Sequence, residues 1–548
     1  MKIWNPLKWV VLILLHFSAR ESESAKILAI FPYPGPSQYL VVQPYLKALA
    51  ARGHELTVIS AFPQKKPLEN YRDIEVPEVL KYVGDIFDYI DMEISKFQEI
   101  VGFSFFYISV VKDVLGNEQV QNLLKSPQEH FDLVIVETLQ TDALFGFADH
   151  FQAPLIGFSS YGTDPYIDAL VDNISPMAYS PLHTDPSTER MDFSQRLRNM
   201  WHNLLMMGHR VFMMNPMQDR LYREYFPKHT KTLEEMRQNI SLILLNQHFS
   251  LSFARPYVAN MIEVGGFHLQ HKPQPLPQDV EEFIASSSQE VIYFSMGSNI
   301  KSENFPLPIR KLLLNVFSQL PYKILWKFEN PSLLADKPSN VFISKWFPQG
   351  DILAHPKVKL FITHGGLLSF IESIYHGKPV LGIPIFFDQI MNVLRAEQYG
   401  FGLSLIYRQL NESSLLAAVT ELMENPHYGE RAQEISKRYR DQPIDPMEKA
   451  IYWTEYVIRH RGAGFLRSPA QYLNYWQKNS WDCAAVIGGA FVMGFAVFVF
   501  IFVQITKCVV RLISSKKKKA GHCSFACWIT LPKHDSGSAV HVGREDTW

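Results

Sequence analysis

Short β-rich apolar runs alternate with amphipathic helical runs over most of the chain, and this alternation restricts the fold more than any other feature. The first set of predicted strands lies between Lys26 and about Gly265: KILAI, ELTVIS, FDLVIVE, APLIGFSS and SLILLN. Such alternation is typical of βαβ units, whose strands form a parallel sheet covered by helices. The first half is therefore predicted to be a doubly wound α/β domain.

A second alternating set follows the proline-rich segment HKPQPLPQD, which is typical of a linker. Its predicted strands are VIYFSMGS, YKILWKF, NVFISKWF, VKLFITHGG, KPVLGIPIF and GLSLIY. We expect two Rossmann-like doubly wound domains, residues 20–270 and 280–445, that face each other across a cleft. Residues 446–482 contain helical segments at Pro446–His460 and Ala470–Gln477, which we expect to pack back toward the first domain.

Both ends of the chain carry apolar segments. Residues 1–19 combine Lys2 and Lys8 with an apolar core and small residues, the pattern of a cleaved signal peptide; an uncleaved anchor is the alternative. Residues 484–506 form an apolar run long enough to cross a bilayer, and Lys516–Lys519 follow it. Because an excess of Lys and Arg marks the cytoplasmic side, we expect a single-pass protein with a lumenal body and a cytoplasmic tail at 507–548.

The net charge and the positions of the cysteines limit which partners and which covalent cross-links are expected. Lys plus Arg number 53 and Asp plus Glu 54, for a net charge of -1, so nothing favours nucleic acid as a partner. All four cysteines lie at Cys483 or beyond, so the body cannot form disulfides and must rely on a large core. Three N-x-Ser sequons predict lumenal glycosylation, at Asn173, Asn239 and Asn411.

The stretch from Trp346 to Gln389 is the most informative about chemistry. A predicted strand ends in His364-Gly365-Gly366 and continues into a helix. Glycines let a backbone approach a ligand, and a helix N-terminus offers free N–H groups to a diphosphate. Trp346 can stack on a flat base, and Glu372 is placed to accept hydrogen bonds from ribose hydroxyls. Asp388 and Gln389, in the loop after the next strand, can hold sugar hydroxyls.

This stretch resembles the signature of the UDP-glycosyltransferases, a family that includes the animal UDP-glucuronosyltransferases, and is most like their insect members. The resemblance extends from RGHELTVIS through FSMGS to AIYWTEYVIRHRGAGFLRSPA and the membrane segment. It implies a GT-B type α/β fold, a nucleotide-sugar donor in the C-terminal domain and an apolar acceptor in the N-terminal one. It also implies these donor-binding residues: Ser298, Trp346, Phe347, Gln349, His364, Gly366, Ser369, Glu372, Asp388 and Gln389.

The donor chemistry follows from the same resemblance. UDP-glucose is the favoured donor and UDP-glucuronate the second, and the UDP-sugar is a co-substrate rather than a cofactor. We expect no metal, since the sequence shows no Asp-x-Asp pair to hold a cation against the diphosphate. One position departs from the family pattern: many relatives carry Asn four residues after the motif histidine, where this chain has Leu368.

The loop FPYPGPSQYL after the first strand carries a second departure. The family normally has a histidine there, which removes the acceptor hydroxyl's proton and is held by an acidic residue from a neighbouring strand. This chain has Gln38, with Glu137 in the orienting position and Asp142 as second choice. An amide is not a base near neutral pH but can position a nucleophile by accepting a hydrogen bond. We expect inverting transfer that is weakened on simple alcohols; a non-catalytic ligand-binding protein is the alternative.

Two segments rich in Phe, Tyr and Met lie inside the first domain, at Val83–Leu124 and Met191–Met217. They suit core-facing helices, an apolar acceptor pocket or a membrane surface. The membrane is expected to be that of the endoplasmic reticulum by resemblance alone, because Lys516–Lys519 are followed by a further polar tail. The acceptor is expected to be a small lipophilic molecule, with a role in detoxification, and homo-oligomer formation is left open.

Overall fold

The structure is a computed structural model that describes residues 24–83, 95–269, 272–286 and 288–523, with side chains up to residue 517. The predicted signal peptide and the last part of the predicted tail lie outside these residues. Two parallel sheets organise the described chain, one in each half.

The N-terminal sheet has the order β3-β2-β1-β4-β5-β6-β7, and every neighbouring pair is parallel. Its strands are β1 (Lys26–Phe31), β2 (Glu55–Ser60), β3 (Tyr71–Glu75), β4 (Leu133–Glu137), β5 (Leu155–Ser159), β6 (Ile240–Leu245) and β7 (Met261–Glu263). The five strands predicted from sequence are confirmed. The sequence did not reveal β3, which is a polar edge strand, or β7, which has only three residues.

Helices cover both faces of this sheet. They are α1 (Pro36–Ala51), α2 (Lys96–Gly116), α3 (Glu118–Lys125), α4 (Gly146–His150), α5 (Pro165–Leu170), α6 (Phe193–His209), α7 (Asn215–Tyr225) and α8 (Leu233–Gln238). One turn of π-helix, Arg210–Met214, joins α6 to α7. A large apolar cluster lies on each side of the sheet, which is how a body without disulfides obtains its stability.

The C-terminal sheet has the order β10-β9-β8-β11-β12-β13 and is again parallel throughout. Its strands are β8 (Val291–Ser295), β9 (Lys323–Lys327), β10 (Val341–Ser344), β11 (Val358–Thr363), β12 (Val380–Gly382) and β13 (Gly402–Ser404). Its helices are α9 (Gln278–Ala285), α10 (Leu307–Gln319), α11 (Gln349–Ala354), α12 (Leu367–Tyr375), α13 (Gln389–Gln398), α14 (Glu412–Glu424) and α15 (Pro426–Arg440). All six strands predicted for this half are confirmed.

The chain then returns to the first half through α16 (Pro446–Arg459). Ala450, Ile451 and Val457 of this helix belong to the same apolar cluster as α1. The Thr454 and Tyr45 hydroxyls are 2.5 Å apart, which adds a polar contact between the two helices.

The helix predicted at Ala470–Gln477 is not continuous. It is a 3₁₀ turn, Pro469–Tyr472, followed by α17 (Tyr475–Lys478). The Asn474 side chain accepts hydrogen bonds from the backbone N–H groups of Trp476 and Gln477, and such an N-cap begins a new helix.

Residues from Tyr472 onward form a separate compact unit, whose described helices are α17 and α18 (Trp481–Cys523). Within the described residues, one helix is long and apolar enough to cross a membrane, with the candidate span at Trp481–Lys517. The helix is longer than the predicted span 484–506 and includes the first part of the predicted tail. Lysine is a good helix former, so the basic block continues the helix instead of ending it.

Candidate functional site

The strand order of each sheet reverses at one point, between β1 and β4 in the first sheet and between β8 and β11 in the second. Ligands of open parallel sheets bind outside the carboxyl ends of the strands at such a point. The loops that follow these strands line one cavity of about 430 Å³, to which both halves contribute. This volume lies within the usual range for a small-ligand site.

The imidazole of His364 lies in this cavity between two glycines. A Cβ atom on Gly297 would be 2.4 Å from its Cε1, and one on Gly366 would be 2.4 Å from its Nε2. The glycines of the motif are predicted to let the backbone approach a ligand, and Gly366 also makes room for the histidine. Burial lowers the pKa of His364 to about 3, helped by the nearby charge of Lys327, so the ring is neutral and donates one N–H.

Gln349 and Glu372 form a preorganised polar pair. The Gln349 amide donates a hydrogen bond to the Glu372 carboxylate and another, 3.0 Å long, to the Ser369 hydroxyl. Burial raises the pKa of Glu372 to about 7, although the bond from Gln349 lowers it. All three side chains line the cavity, as the sequence predicted for donor-binding residues.

Trp346 presents a flat aromatic surface at the cavity and is 60% exposed. The Lys327 ammonium lies 5.6 Å from the centre of the indole and also pairs with Glu329. The predicted strand NVFISKWF includes Trp346, but β10 ends at Ser344. Trp346 therefore lies just beyond the strand. The side chain of the neighbouring Phe347 is buried against Tyr293, with ring centroids 5.8 Å apart, so it supports the site from the core.

The loop after β12 places Asp388 and Gln389 at the cavity. Asn392 donates a 2.8 Å hydrogen bond to the Asp388 carboxylate, whose pKa is raised to about 6 by burial, so it is mostly ionised at pH 7. The Gln389 Oε1 accepts hydrogen bonds from the backbone N–H groups of Ile385 (2.9 Å) and Phe386 (3.2 Å). The amide group left for a ligand is therefore Nε2.

Phe387, between these residues, connects the two halves through an aromatic cluster. Its backbone has a φ of 58°, which is unusual for a bulky residue and typical of functional loops. Its ring centroid lies 4.7 Å from that of His183, 6.0 Å from Phe103 and 6.1 Å from Tyr161. Phe103 and Tyr161 line the cavity from the first half and Phe387 lines it from the second, so the side of the cavity where the halves meet is aromatic.

The two segments rich in Phe, Tyr and Met, Val83–Leu124 and Met191–Met217, differ in whether they line the cavity. Phe103 and Tyr107 of α2 line the cavity, as expected for an acceptor pocket. The segment Met191–Met217 contributes none of the residues that line it, so the expectation of a pocket is wrong there.

Gln38 also lines the cavity, at the N-terminus of α1. The Ser37 hydroxyl donates a 2.7 Å hydrogen bond to the Gln38 Oε1, and the Asn299 amide from the other half donates a 3.0 Å hydrogen bond to the same hydroxyl. Asn299, which the sequence analysis missed, thus positions the amide through Ser37. It could have been found from its place in the loop after β8, at a switch point.

Glu137 ends β4 behind this loop and is 1% exposed. Burial raises the pKa of Glu137 to about 8, outweighing the lowering by the nearby Ser160 hydroxyl and Tyr33 backbone N–H. Neither carboxylate oxygen has a partner within hydrogen-bonding geometry. Ser160 and Tyr33 line the cavity, and Glu137 lies next to them without being part of the lining.

Asp142 occupies a different environment. Its carboxylate forms a buried ion pair with Arg237, 2.5 Å away, and accepts a hydrogen bond from the Tyr166 hydroxyl. The charges of Arg237 and Arg210 lower the pKa of Asp142 against the effect of burial, and the residue does not line the cavity. The structure therefore gives Asp142 a role in stability and does not support it as a catalytic residue.

Ser298, in the loop after β8, and Leu368, in the first turn of α12, line the cavity. Leu368, which replaces the asparagine of many relatives, packs against the apolar cluster of the first half. It therefore contributes an apolar contact between the two halves where the family pattern has an amide.

The three sequons differ in accessibility. The Asn173 amide nitrogen donates hydrogen bonds to Asp168 (2.8 Å) and to the Pro256 carbonyl (3.0 Å). The Asn239 Oδ1 accepts a 2.8 Å hydrogen bond from an arginine, and the serine of its sequon is 1% exposed. Asn411 is exposed and caps α14, so it is the most accessible of the three.

Two facing Rossmann-type sheets with a shared cavity define the GT-B class of glycosyltransferases. Solved structures agree: the glycosyltransferase VinC in complex with DTDP has a TM-score of 0.53 at 16% identity, covering 80% of this chain and 100% of that one. The family model "UDP-glucoronosyl and UDP-glucosyl transferase" matches residues 28–520. The chain belongs to this family of UDP-glycosyltransferases.

Curated relatives come from insects and mammals. UDP-glucosyltransferase 2 of Dactylopius coccus is 34% identical over 521 residues, which is 93% of this chain and 99% of that protein. UDP-glucuronosyltransferase 2B23 of Macaca fascicularis is 30% identical over 511 residues, which is 87% of this chain and 93% of that protein.

Proposed function

We propose that the protein transfers glucose, or as second choice glucuronic acid, from its UDP-sugar to a small lipophilic acceptor, with inversion at the sugar C1. Family membership supplies the UDP-sugar and the acceptor. The relative from Dactylopius coccus is named a UDP-glucosyltransferase, which favours glucose. The observation that carries the proposal is the cavity of about 430 Å³ that is lined both by the Trp346–Gln389 region and by aromatic residues of the first half.

In this proposal the second half binds the donor. Trp346 stacks on uracil, and the Gln349–Glu372 pair binds the nucleoside. Ser298, the neutral His364 and the N-terminus of α12 bind the diphosphate, because their N–H and O–H groups can stabilise the charge that develops as UDP departs. Asp388 and the Nε2 group of Gln389 hold the sugar hydroxyls, which leaves C1 facing the aromatic side of the cavity.

The first half orients the acceptor. Its nucleophilic atom attacks C1 as the bond to the diphosphate oxygen breaks, so any proton on the nucleophile must leave during attack. The amide of Gln38 can accept a hydrogen bond from that group but cannot take its proton. Glu137, with a pKa of about 8, is mostly protonated at pH 7. The best acceptors should therefore ionise easily or need no base, such as acidic phenols, carboxylates, thiols and amines.

The rival function is binding of a UDP-sugar or a lipophilic ligand without turnover, which the absent histidine favours. A donor panel separates the two. The full chain in detergent micelles is incubated with UDP-glucose or UDP-glucuronate and an acidic phenol, and products are identified by mass. We expect a phenol with one added glucose; UDP binding without any product would establish the rival. Asp388→Asn is the matched variant, expected to lose transfer but still bind UDP.

We further propose that the body lies in the lumen of the endoplasmic reticulum and the tail in the cytosol. The candidate span at Trp481–Lys517 and the basic residues at its end support this orientation. Protease protection tests it: in sealed microsomes, protease should remove the tail and leave the body intact. Of the three sequons, Asn411 is the one most open to a glycan, and Asn411→Gln should raise the mobility of the protein on a gel.

A further inference from the structure

The helix α6 presents an apolar stripe to the surrounding medium. Its members recur at alternating intervals of four and three residues, which places them on one face, and each is between 42% and 73% exposed: Phe193, Leu197, Met200, Leu204, Met207 and Val211. The last of them lies in the π-helical turn that follows α6. Trp201 and Phe212 extend the stripe on its sides at 63% and 84% exposure.

Two asparagines of this helix face the protein interior. The buried residues of α6 are Asn199 and Asn203. The Asn199 amide donates hydrogen bonds to the Met177 and Ser180 carbonyls, at 2.7 and 3.0 Å, and its Oδ1 accepts one from the Leu182 N–H at 3.0 Å. Asn203 donates to the Asn199 carbonyl at 2.8 Å. The buried side chains of α6 are thus polar and its exposed stripe is apolar, the reverse of a helix that packs on a soluble core.

The apolar surface continues onto α2. Ser104 of α2 and His209 of α6 are joined by a 3.0 Å hydrogen bond, so the helices are neighbours. Phe97 and Phe105 of α2 are 56% and 53% exposed. We call the exposed apolar residues of α2 and α6 the α2–α6 face. A continuous apolar surface of this kind marks an interaction site.

The charges around the face indicate its partner. Between Asp192 and Asp219 the chain has no acidic residue, and Arg196 and Arg198 of α6 are exposed. Arg210 instead lies over the Tyr166 ring, and on α2 the charge of Glu99 is paired with Lys96 at 3.2 Å. A helix with an apolar stripe, a tryptophan and only basic charges suits the interface of a bilayer that contains anionic lipids. The candidate span supplies a second reason for a bilayer to be present.

We propose that the α2–α6 face inserts into the surface of a lipid bilayer, as a second membrane contact besides the candidate span. Since Phe103 and Tyr107 on the same α2 helix line the cavity, the helix would then separate the lipid from the acceptor pocket. This last consequence rests on the proposed function, whereas the membrane contact does not.

The sequence offers a direct test, because every cysteine lies at residue 483 or beyond. In the full chain with its four cysteines replaced by serine, Leu204→Cys carries an environment-sensitive NBD fluorophore. Leu307→Cys, 54% exposed on the other half, is the matched control. Both proteins are reconstituted into phosphatidylcholine–phosphatidylserine vesicles, with or without lipids that carry a doxyl quencher on the acyl chain.

We expect a blue shift and loss of most NBD fluorescence to the doxyl lipids at position 204, and neither change at position 307. UDP binding by both labelled proteins confirms that they are folded. Equal quenching at both positions, or none at position 204, would overturn the proposal. If the signal at position 204 instead varies with protein density in the vesicles without doxyl quenching, the face is a contact between two copies of the chain and the proposal fails.

Discussion

Replacing Gln38 by histidine should give the protein the base that it lacks. Gln38 lies at the cavity, and its Oε1 is positioned by Ser37 and Asn299. Glu137 ends β4, the strand on the other side of the same switch point, and its carboxyl has no partner within hydrogen-bonding geometry. An imidazole at position 38 could take the proton of the acceptor hydroxyl, with Glu137 as the group that orients and polarises it.

The size of the gain can be worked from the structure. A positioned general base contributes about 10²–10⁴-fold. With a pKa of about 8, roughly one Glu137 carboxyl in ten is ionised at pH 7. If the imidazole needs the ionised form, the gain in kcat/KM on a simple alcohol falls to about 10–10³-fold at pH 7. It should rise further as the pH approaches that pKa.

The assay measures UDP release with a simple alcohol and with an acidic phenol, for wild type, Gln38→His and the double variant Gln38→His/Glu137→Gln. We expect Gln38→His to raise the rate on the alcohol much more than on the phenol, and the double variant to lose most of that gain. A Gln38→His protein that binds UDP normally but gains nothing on the alcohol would refute the assignment of position 38. A gain that persists in the double variant would refute the role of Glu137.

Three further predictions concern pH, the acceptor and metal. Because the pKa of Glu137 is raised from 4.5 to about 8, its share of the stability is complete below about pH 4.5 and lost as the pH rises to about 8. Glu137→Gln should therefore be more stable than wild type at about pH 8.5, by on the order of a few kcal/mol, but not at about pH 5. Thermal unfolding followed by circular dichroism measures this. The same pH dependence of stability in both proteins would contradict the prediction. Phe387→Ala should raise the KM for a bulky acceptor several-fold and leave UDP affinity unchanged, because the Phe387 ring contacts the aromatic side of the cavity. A matching loss of UDP affinity would contradict this prediction. Transfer should continue at full rate after EDTA treatment, since the diphosphate is proposed to be bound by N–H and O–H groups; loss of activity restored by Mg²⁺ would contradict this.

Much of the fold was predictable because parallel, fully buried strands appear in the sequence as short apolar runs. The central strands of both sheets were found in this way. The edge strands β3 and β7 were missed, the first because it is polar and the second because it is very short. The break in the helix predicted at Ala470–Gln477 depends on capping by Asn474, a local hydrogen-bonding choice that apolar periodicity does not report.

The candidate site was predictable where one continuous stretch supplies it, as with Trp346, Glu372 and Asp388. Residues that act through contacts distant in sequence were not found. Asn299 meets Ser37 across the cleft, and Lys327 lies over Trp346 only once β9 and β10 are paired. Asp142 was the second choice for the orienting acid, but its carboxylate pairs with Arg237 of α8, far along the chain.

The central claim is that uridine diphosphate binds between the indole of Trp346 and the His364 turn. Calorimetric titration of the full chain with UDP tests it most directly, with Trp346→Ala as the variant and Trp201→Ala, an exposed tryptophan outside the cavity, as the matched control. Stacking on a base is worth about 1–3 kcal/mol, so Trp346→Ala should weaken UDP binding roughly 5- to 150-fold and Trp201→Ala should not change it. A wild-type chain without measurable affinity for UDP, or equal affinities in all three proteins, would contradict the account.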